Sequence, residues 1–301
     1  MDDIFLLPHQ SALIRQVDLA LAEVALTKTS RGLLLIGPSG SGKTFMLDLL
    51  ARRMPPTTTS GQRKIRVCTV SLESSGDPAS IMRAILAKLG KPQSVTAKMR
   101  VADLEWQVID ALDACGVEIL ILEEFHNALL KTDSRFRGQA NRLLKNLWNA
   151  DDHTKRVILI SGTEAIRKIF DGDDELNSRY GCRVNAASLW FDAQGRSPHF
   201  RGIAEAITNR HGVNHLIDTG NKLVLGRLLF ACHGHLRRLD ELCARVATLA
   251  RGQPAEADHS SLWAAAFAEV VARTTGSSNP FVMPEDELRR VIFAECRAAV
   301  A

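Results

Sequence analysis

The chain of 301 residues predicts an α/β fold: a P-loop core with a parallel sheet between layers of helices, followed by a small helical lid domain. Three observations predict it. Short apolar runs alternate with helical patterns over the first two thirds of the chain. A glycine-rich loop joins the first of those runs to a helix. From about Ser197 onward the pattern is helical throughout.

Taken in order, residues 8–26 read as a helix with Leu13, Val17, Leu21 and Val24 on one face. Leu33–Ile36 is wholly apolar and bounded by glycine and proline, as a strand buried on both faces must be. A helix over Lys43–Arg53 ends before Pro55-Pro56. Ile65–Ser71 is a second strand. Asp77-Pro78 is an N-cap with proline in the first helical position, opening a helix that stops at Gly90. A helix over about 100–114, a third strand over Val117–Leu122, a helix over 135–149 and a fourth strand over Val157–Ile160 follow. Thr163–Phe170 is a short helix and Val184–Trp190 a fifth strand. Helices over 198–211, 219–231 and 235–251 form the lid. The last fifty residues hold an apolar helix (Leu262–Val271), a loop at Thr274–Pro280, and a tail helix with Leu288, Val291, Ile292 and Cys296 on one face. The expected division is a core over 1–196, a lid over 197–252 and an appendage over 253–301. That tail would pack on its own subunit or dock on a neighbour or partner.

Composition excludes several classes. With 46% hydrophobic and 24% charged residues the chain is neither disordered nor fibrous. A net charge of +4 permits a nucleic-acid partner without requiring one. Six scattered cysteines with no CxxC pair read as reduced thiols. The N-terminus lacks the basic region of a secretory signal, and no apolar run is long enough to span a bilayer, so a cytoplasmic protein is expected.

Gly37-Pro38-Ser39-Gly40-Ser41-Gly42-Lys43-Thr44 matches G-x-x-x-x-G-K-[ST] between an apolar strand and a helix. Glycines let the backbone curl so that its N–H groups surround a phosphate, and the helix N-terminus adds positive charge. Lys43 would reach the β- and γ-phosphates of ATP, and the Thr44 hydroxyl would ligate Mg²⁺. The magnesium also needs an acid at the end of a neighbouring strand. Ile119-Leu120-Ile121-Leu122-Glu123-Glu124 supplies two. Glu123 would sit at the magnesium, directly or through a water, and Glu124 would orient and polarise the attacking water. The first acid is usually aspartate. Glu123 is one methylene longer, so slow hydrolysis is expected.

These motifs, with Glu124-Phe125-His126-Asn127, Ser161-Gly162-Thr163 and Leu176-Asn177-Ser178-Arg179-Tyr180, resemble an AAA+ ATPase and, more narrowly, the TniB/TnsC group of transposition ATPases. The resemblance covers about residues 5–250. It implies that Thr163, or else Ser161, is the sensor 1 residue. It makes Arg179, or else Arg183, an arginine finger that reaches a neighbouring subunit's γ-phosphate. Arg237 in Gly234-His235-Leu236-Arg237 becomes the sensor 2 residue over the nucleotide, and Leu7-Pro8-His9 the lining of the adenine pocket. It implies further an ATP-dependent regulator that oligomerises as a ring or filament on duplex DNA and recruits or activates a DDE transposase, alongside a target-selector protein. Hydrolysis would then drive disassembly. A replication initiator or helicase loader, usually with a helix-turn-helix domain after the lid, and a P-loop signalling switch without DNA are the alternative readings.

Basic residues suited to phosphate contact fall in three stretches. Arg52, Arg53, Arg63, Lys64 and Arg66 lie in an acid-free segment between Asp48 and Glu73. Lys131, Arg135, Arg137, Arg142 and Lys145 form a second, and Lys98 with Arg100 a third. Cys232-His233-x-His235 with Cys243 fits no common zinc spacing, so no structural metal is expected.

Overall fold

The computed structural model describes residues 8–59, 62–72, 77–91, 99–127, 134–149, 153–186, 199–251, 258–272 and 278–298, together with Leu189, Ser197 and Gln253. Contacts divide the chain into two compact units. The first comprises residues 1–38 and 43–186, the second residues 39–42 and 187–301. The residues expected as a separate appendage group with the second unit.

The first unit is built on a five-stranded sheet. Helix α1 (Pro8–Thr27) leads into β1 (Arg31–Ile36), and α2 (Lys43–Arg53) follows. A small antiparallel hairpin, β2 (Thr57–Thr59) with β3 (Gln62–Lys64), comes next and pairs Thr57 with Lys64. These strands are three residues long and polar, so they carry no apolar alternation to announce them. The expected strand over 65–71 is accordingly shorter, β4 (Val67–Ser71). Then come α3 (Pro78–Lys88), α4 (Val101–Ala114), β5 (Ile119–Glu123), α5 (Ser134–Asn149), β6 (Val157–Gly162), α6 (Ala165–Asp171), α7 (Asp174–Arg179) and β7 (Cys182–Asn185).

The strand order is β4-β5-β6-β1-β7, with every pairing parallel. The strand bearing the two acids is therefore not a direct neighbour of β1, because β6 lies between them. The fifth strand also differs from the expected 184–190. It pairs only where β1 exists, from Leu33↔Cys182 to Ile36↔Asn185. At Gly37 the P-loop leaves the sheet, so residues beyond Asn185 have no edge to join. Trp190 lies outside the described residues.

Alternation along the central strands feeds two cores, since successive side chains point to opposite faces. Leu34, Ile36, Leu120, Leu122, Ile158 and Ile160 pack with α3, α4 and α5. Leu33, Leu35, Ile119, Ile121, Val157 and Leu159 pack with α1 and α2. Helix α3 starts as its sequence dictates. Ser80 N donates to Asp77 Oδ1 (3.0 Å), Asp77 N donates to Ser80 Oγ (3.3 Å), and Pro78 occupies the first turn.

The second unit is helical: α8 (Phe200–Arg210), a one-turn 3₁₀ segment (Asn214–Leu216), α9 (Lys222–Cys232), α10 (Leu236–Ala250), α11 (His259–Phe267) running into a π-helical turn (Ala268–Ala272), and α12 (Glu285–Ala298). Its core joins Phe200, Leu228, Leu239, Leu242, Trp263 and Phe267, and the Trp263 indole N–H donates to the Leu216 carbonyl at 3.1 Å. The tail helix packs on α9: Leu288 meets Phe230 and Met283, flanked by Val291 and Ile292. The expected apolar face of that helix thus covers its own unit; the Cys296 side chain lies outside the described residues. Among the described residues no helix is long and apolar enough to cross a membrane.

Candidate active site

The P-loop begins where β1 ends. The Gly37 amide donates to the Gly162 carbonyl (3.1 Å), tying the loop to β6. Gly40 and Gly42 have φ of 78° and 85°, a left-handed region that glycine enters at little cost. Those two turns wrap the loop before Lys43 opens α2. The buried Lys43 Nζ donates to the carbonyls of Gly37 (3.0 Å) and Pro38 (2.9 Å), so the lysine braces the loop it belongs to. In the helical unit, to which Ser39–Gly42 belong by contact, His235 caps α10 and a backbone group of Ser39 engages its imidazole. Burial, with Arg238 nearby, holds His235 below the usual histidine pKa. A Cβ placed on Gly40 would stand 3.6 Å from the Cβ atoms of both His235 and Arg237. Arg237 itself is exposed in the first turn of α10.

The first of the two acids meets the P-loop directly. The Thr44 hydroxyl donates to the Glu123 carboxylate, joining the expected magnesium ligands across the sheet end. Glu123 is the last residue of β5, buried, with its carbonyl accepting from Leu72 N (3.0 Å). Glu124 follows with φ of 57°, a left-handed conformation that costs a non-glycine residue on the order of 1–3 kcal/mol. The turn beyond it is pinned. Phe125 N donates to Ser161 O and Asn127 N to Glu124 O, both at 2.9 Å, while the Phe125 ring is fully buried. His126 Nε2 lies 3.4 Å from Glu124 Oε2. Because β6 intervenes, its end sits between loop and acids. Ser161 Oγ is buried there with no hydrogen-bond partner among the described residues. Thr163 stands just past the strand, half-buried, with its carbonyl accepting from Ile166 N (3.1 Å). A hydroxyl and a carboxylate in contact are hard oxygen donors of the kind Mg²⁺ takes, and the glycine turns are shaped for phosphate, so these residues fit a magnesium nucleotide.

Both candidate finger arginines are engaged within the first unit. Arg179, at the end of α7, pairs with Glu175 (2.5 Å), donates to the Lys145 carbonyl (3.3 Å), and lies 5.9 Å over the Trp148 ring. Arg183 pairs with Asp171 and donates to Asn177 Oδ1 (2.7 Å). Tyr180 anchors this corner: its buried ring meets Trp148 and Phe170, and a Cβ on Gly32 would strike it at 2.4 Å.

The basic stretches are placed unevenly. Lys145 bridges Asp173 (3.1 Å) and Glu175 (2.6 Å), and those carboxylates raise its pKa. Arg66 is held by both oxygens of Glu118 (2.7 and 2.8 Å) and Arg53 by Asp18 (3.4 Å). Arg100 is exposed and pairs with Asp103 (3.0 Å), whereas Arg142, Arg52, Arg63 and Lys64 are exposed on α5, α2 and the hairpin. Arg135 and Arg137 belong to α5 with side chains outside the described residues, where Lys98 and Lys131 also fall, as does Leu7. Cys232 and Cys243 belong to the helical core, their thiols pushed up to about 12 by burial. Among the described residues no three His, Cys, Asp or Glu side chains gather as a metal site would require.

Sequence spacing located the P-loop and the acids but gave His126 no task; its position two residues after Glu124, on a turn rather than a strand, was the available signal. No curated protein matches the chain. Among solved structures it resembles the ORC2 protein of Aeropyrum pernix in ADPNP–ADP complexes (13% identity, TM-score 0.61, covering 91% of this chain and 72% of that one). It also resembles the ORC1 protein of that organism in complex with DNA (16%, TM-score 0.57, 88% and 66%) and Cdc6p from Pyrobaculum aerophilum (14%, TM-score 0.54, 82% and 63%). These likenesses show the fold, that of AAA+ ATPases. The family model of the bacterial TniB protein matches residues 9–186, more than half of the sequence, and the chain belongs to the TniB family.

Proposed function

We propose that the protein is a DNA-binding ATPase of transposition, which assembles on duplex DNA when ATP is bound and recruits or activates a DDE transposase. The observation that carries the ATPase reading is the Thr44–Glu123 contact with Glu124 next in the chain. It joins the loop that takes phosphates to a carboxylate suited to an attacking water. TniB membership supports the transposition setting.

In this reading the P-loop amides and Lys43 hold the β- and γ-phosphates, while Thr44 and Glu123 hold the metal. Magnesium, when bound, neutralises charge developing on the terminal phosphates. Glu124 accepts the proton of the attacking water as its oxygen bonds to the γ-phosphorus and the bridge to the β-phosphate breaks. Thr163, just past the strand between loop and acids, or Ser161 on that strand, reads the γ-phosphate. Arg237 closes over the nucleotide, and Arg179 from a second copy completes the site. A planar guanidinium suits both arginine roles because it meets two phosphate oxygens at once.

The test is negative-stain microscopy with a slowly hydrolysed ATP analogue, with and without random-sequence duplex. Rings or filaments that need both nucleotide and DNA support the reading. Particles that stay monomeric in every condition remove the assembly and the trans arginine. The Orc-type fold favours one other reading, an initiator that recognises a DNA sequence. Retention on one specific duplex over random competitor would select it.

A further inference from the structure

The His126 imidazole is buried, 9% exposed, and among the described residues its Nδ1 finds no hydrogen-bond partner. A histidine kept for structure normally satisfies its buried nitrogens. At this ring's Nε2 stands the Glu124 carboxylate, 3.4 Å away. A bare Nδ1 matches the tautomer with its proton on Nε2, the form able to donate to that carboxylate. Contacts of this type are often long before substrate binds and tighten in the complex. The ring also has a prepared seat. A Cβ on Gly162 would lie 3.2 Å from His126 Nδ1 and 2.9 Å from Ile166 Cγ2, so β6 ends in a residue with no side chain where the imidazole lies. The left-handed φ of Glu124, the pinned Phe125–Asn127 turn and this imidazole converge on one carboxylate.

We propose that His126 is a positioning residue for Glu124. Its Nε2–H holds the carboxylate in the pose that accepts a proton from water, and so sets the rate of hydrolysis without taking part in nucleotide binding. The water proton goes to Glu124, and the histidine proton stays on Nε2. This rests on the ATPase reading above.

The experiment is steady-state ATPase kinetics on the full chain, with the Kd of a fluorescent ADP analogue measured alongside, for wild type, His126→Leu and His126→Gln. Misplacing a catalytic group by about 1 Å costs up to about a hundredfold, so kcat is expected to fall about tenfold or more in H126L while the Kd stays within about twofold. The glutamine amide reaches the same carboxylate, so H126Q is expected to run within about threefold of wild type, as a retained donor predicts. Unchanged kcat in H126L overturns the proposal, as does H126Q falling as far as H126L with normal nucleotide affinity. Loss of affinity in step with kcat in both variants overturns it too, because the ring would then serve the fold. Wild-type protein that hydrolyses no ATP overturns the ATPase reading itself, and the proposal with it.

Discussion

At Glu123 one methylene decides how the carboxylate of the proposed metal site meets Thr44. An aspartate there would stop short of Thr44; the longer chain reaches it, and the hydroxyl donates to the carboxylate. The hydroxyl oxygen keeps its lone pairs for a metal while it donates, but the extra methylene sets the carboxylate against Thr44 and takes up room that a metal between them needs. Glu123→Asp is therefore expected to raise ATP turnover several-fold at saturating magnesium, read in a phosphate-release assay; an equal or lower rate would refute this account. Lys43→Ala should abolish nucleotide binding and DNA-dependent assembly together, since the amine braces the loop carbonyls and, in the proposed function, meets phosphate. Glu124→Gln should leave assembly intact and stop its dissolution, as followed by light scattering after ATP addition. Loss of assembly in that variant counts against the mechanism. Buried thiols add a pH effect. Cys68, Cys232 and Cys243 are raised to about 12 by burial. In the unfolded chain they ionise near 9, so their contribution is complete below that pH and is lost as pH rises toward 12. Denaturant unfolding should show stability declining above about pH 9, less steeply in Cys68→Ala.

Elements in this protein are defined by local signals where those exist. Helix α3 has a capping box and an N-terminal proline, and its expected start was its observed start. Removing the cap with Asp77→Ala is expected to lower stability by about 1 kcal/mol, measured by chemical denaturation, with ATP turnover unchanged. Strand β5 was legible because every one of its residues is buried between two helical layers. The β2–β3 hairpin was not, since its six residues are polar and take their conformation from pairing with each other. Helix α7 was equally silent: six residues, capped by Asp173 through the Leu176 amide, too short to show a period. Strand β7 began and ended earlier than its composition indicated, because it pairs with β1 from Leu33 and stops where β1 gives way to the P-loop.

For the whole molecule, the arginine that would complete a neighbour's site is held at home. Arg179 spends its donors on Glu175 and the Lys145 carbonyl, over Trp148. In the proposed assembly those contacts would be exchanged for a phosphate, so Arg179→Ala should leave nucleotide binding by the isolated chain unchanged. It should abolish the rise in specific ATPase activity with protein concentration; a rise equal to wild type would remove the trans role. The P-loop, the acid pair, the α/β order and the helical second unit were determined by the sequence itself, because each rests on local chemistry: backbone freedom at glycine, charge at a strand end, the period of apolar residues. The tertiary structure decided what depends on residues far apart in the chain. It inserted β6 between loop and acids, brought Thr44 onto Glu123, and seated His126 against a side-chain-free Gly162. It also joined the last helix to α9. Strand order and side-chain proximity arise from packing, which no window of neighbouring residues contains.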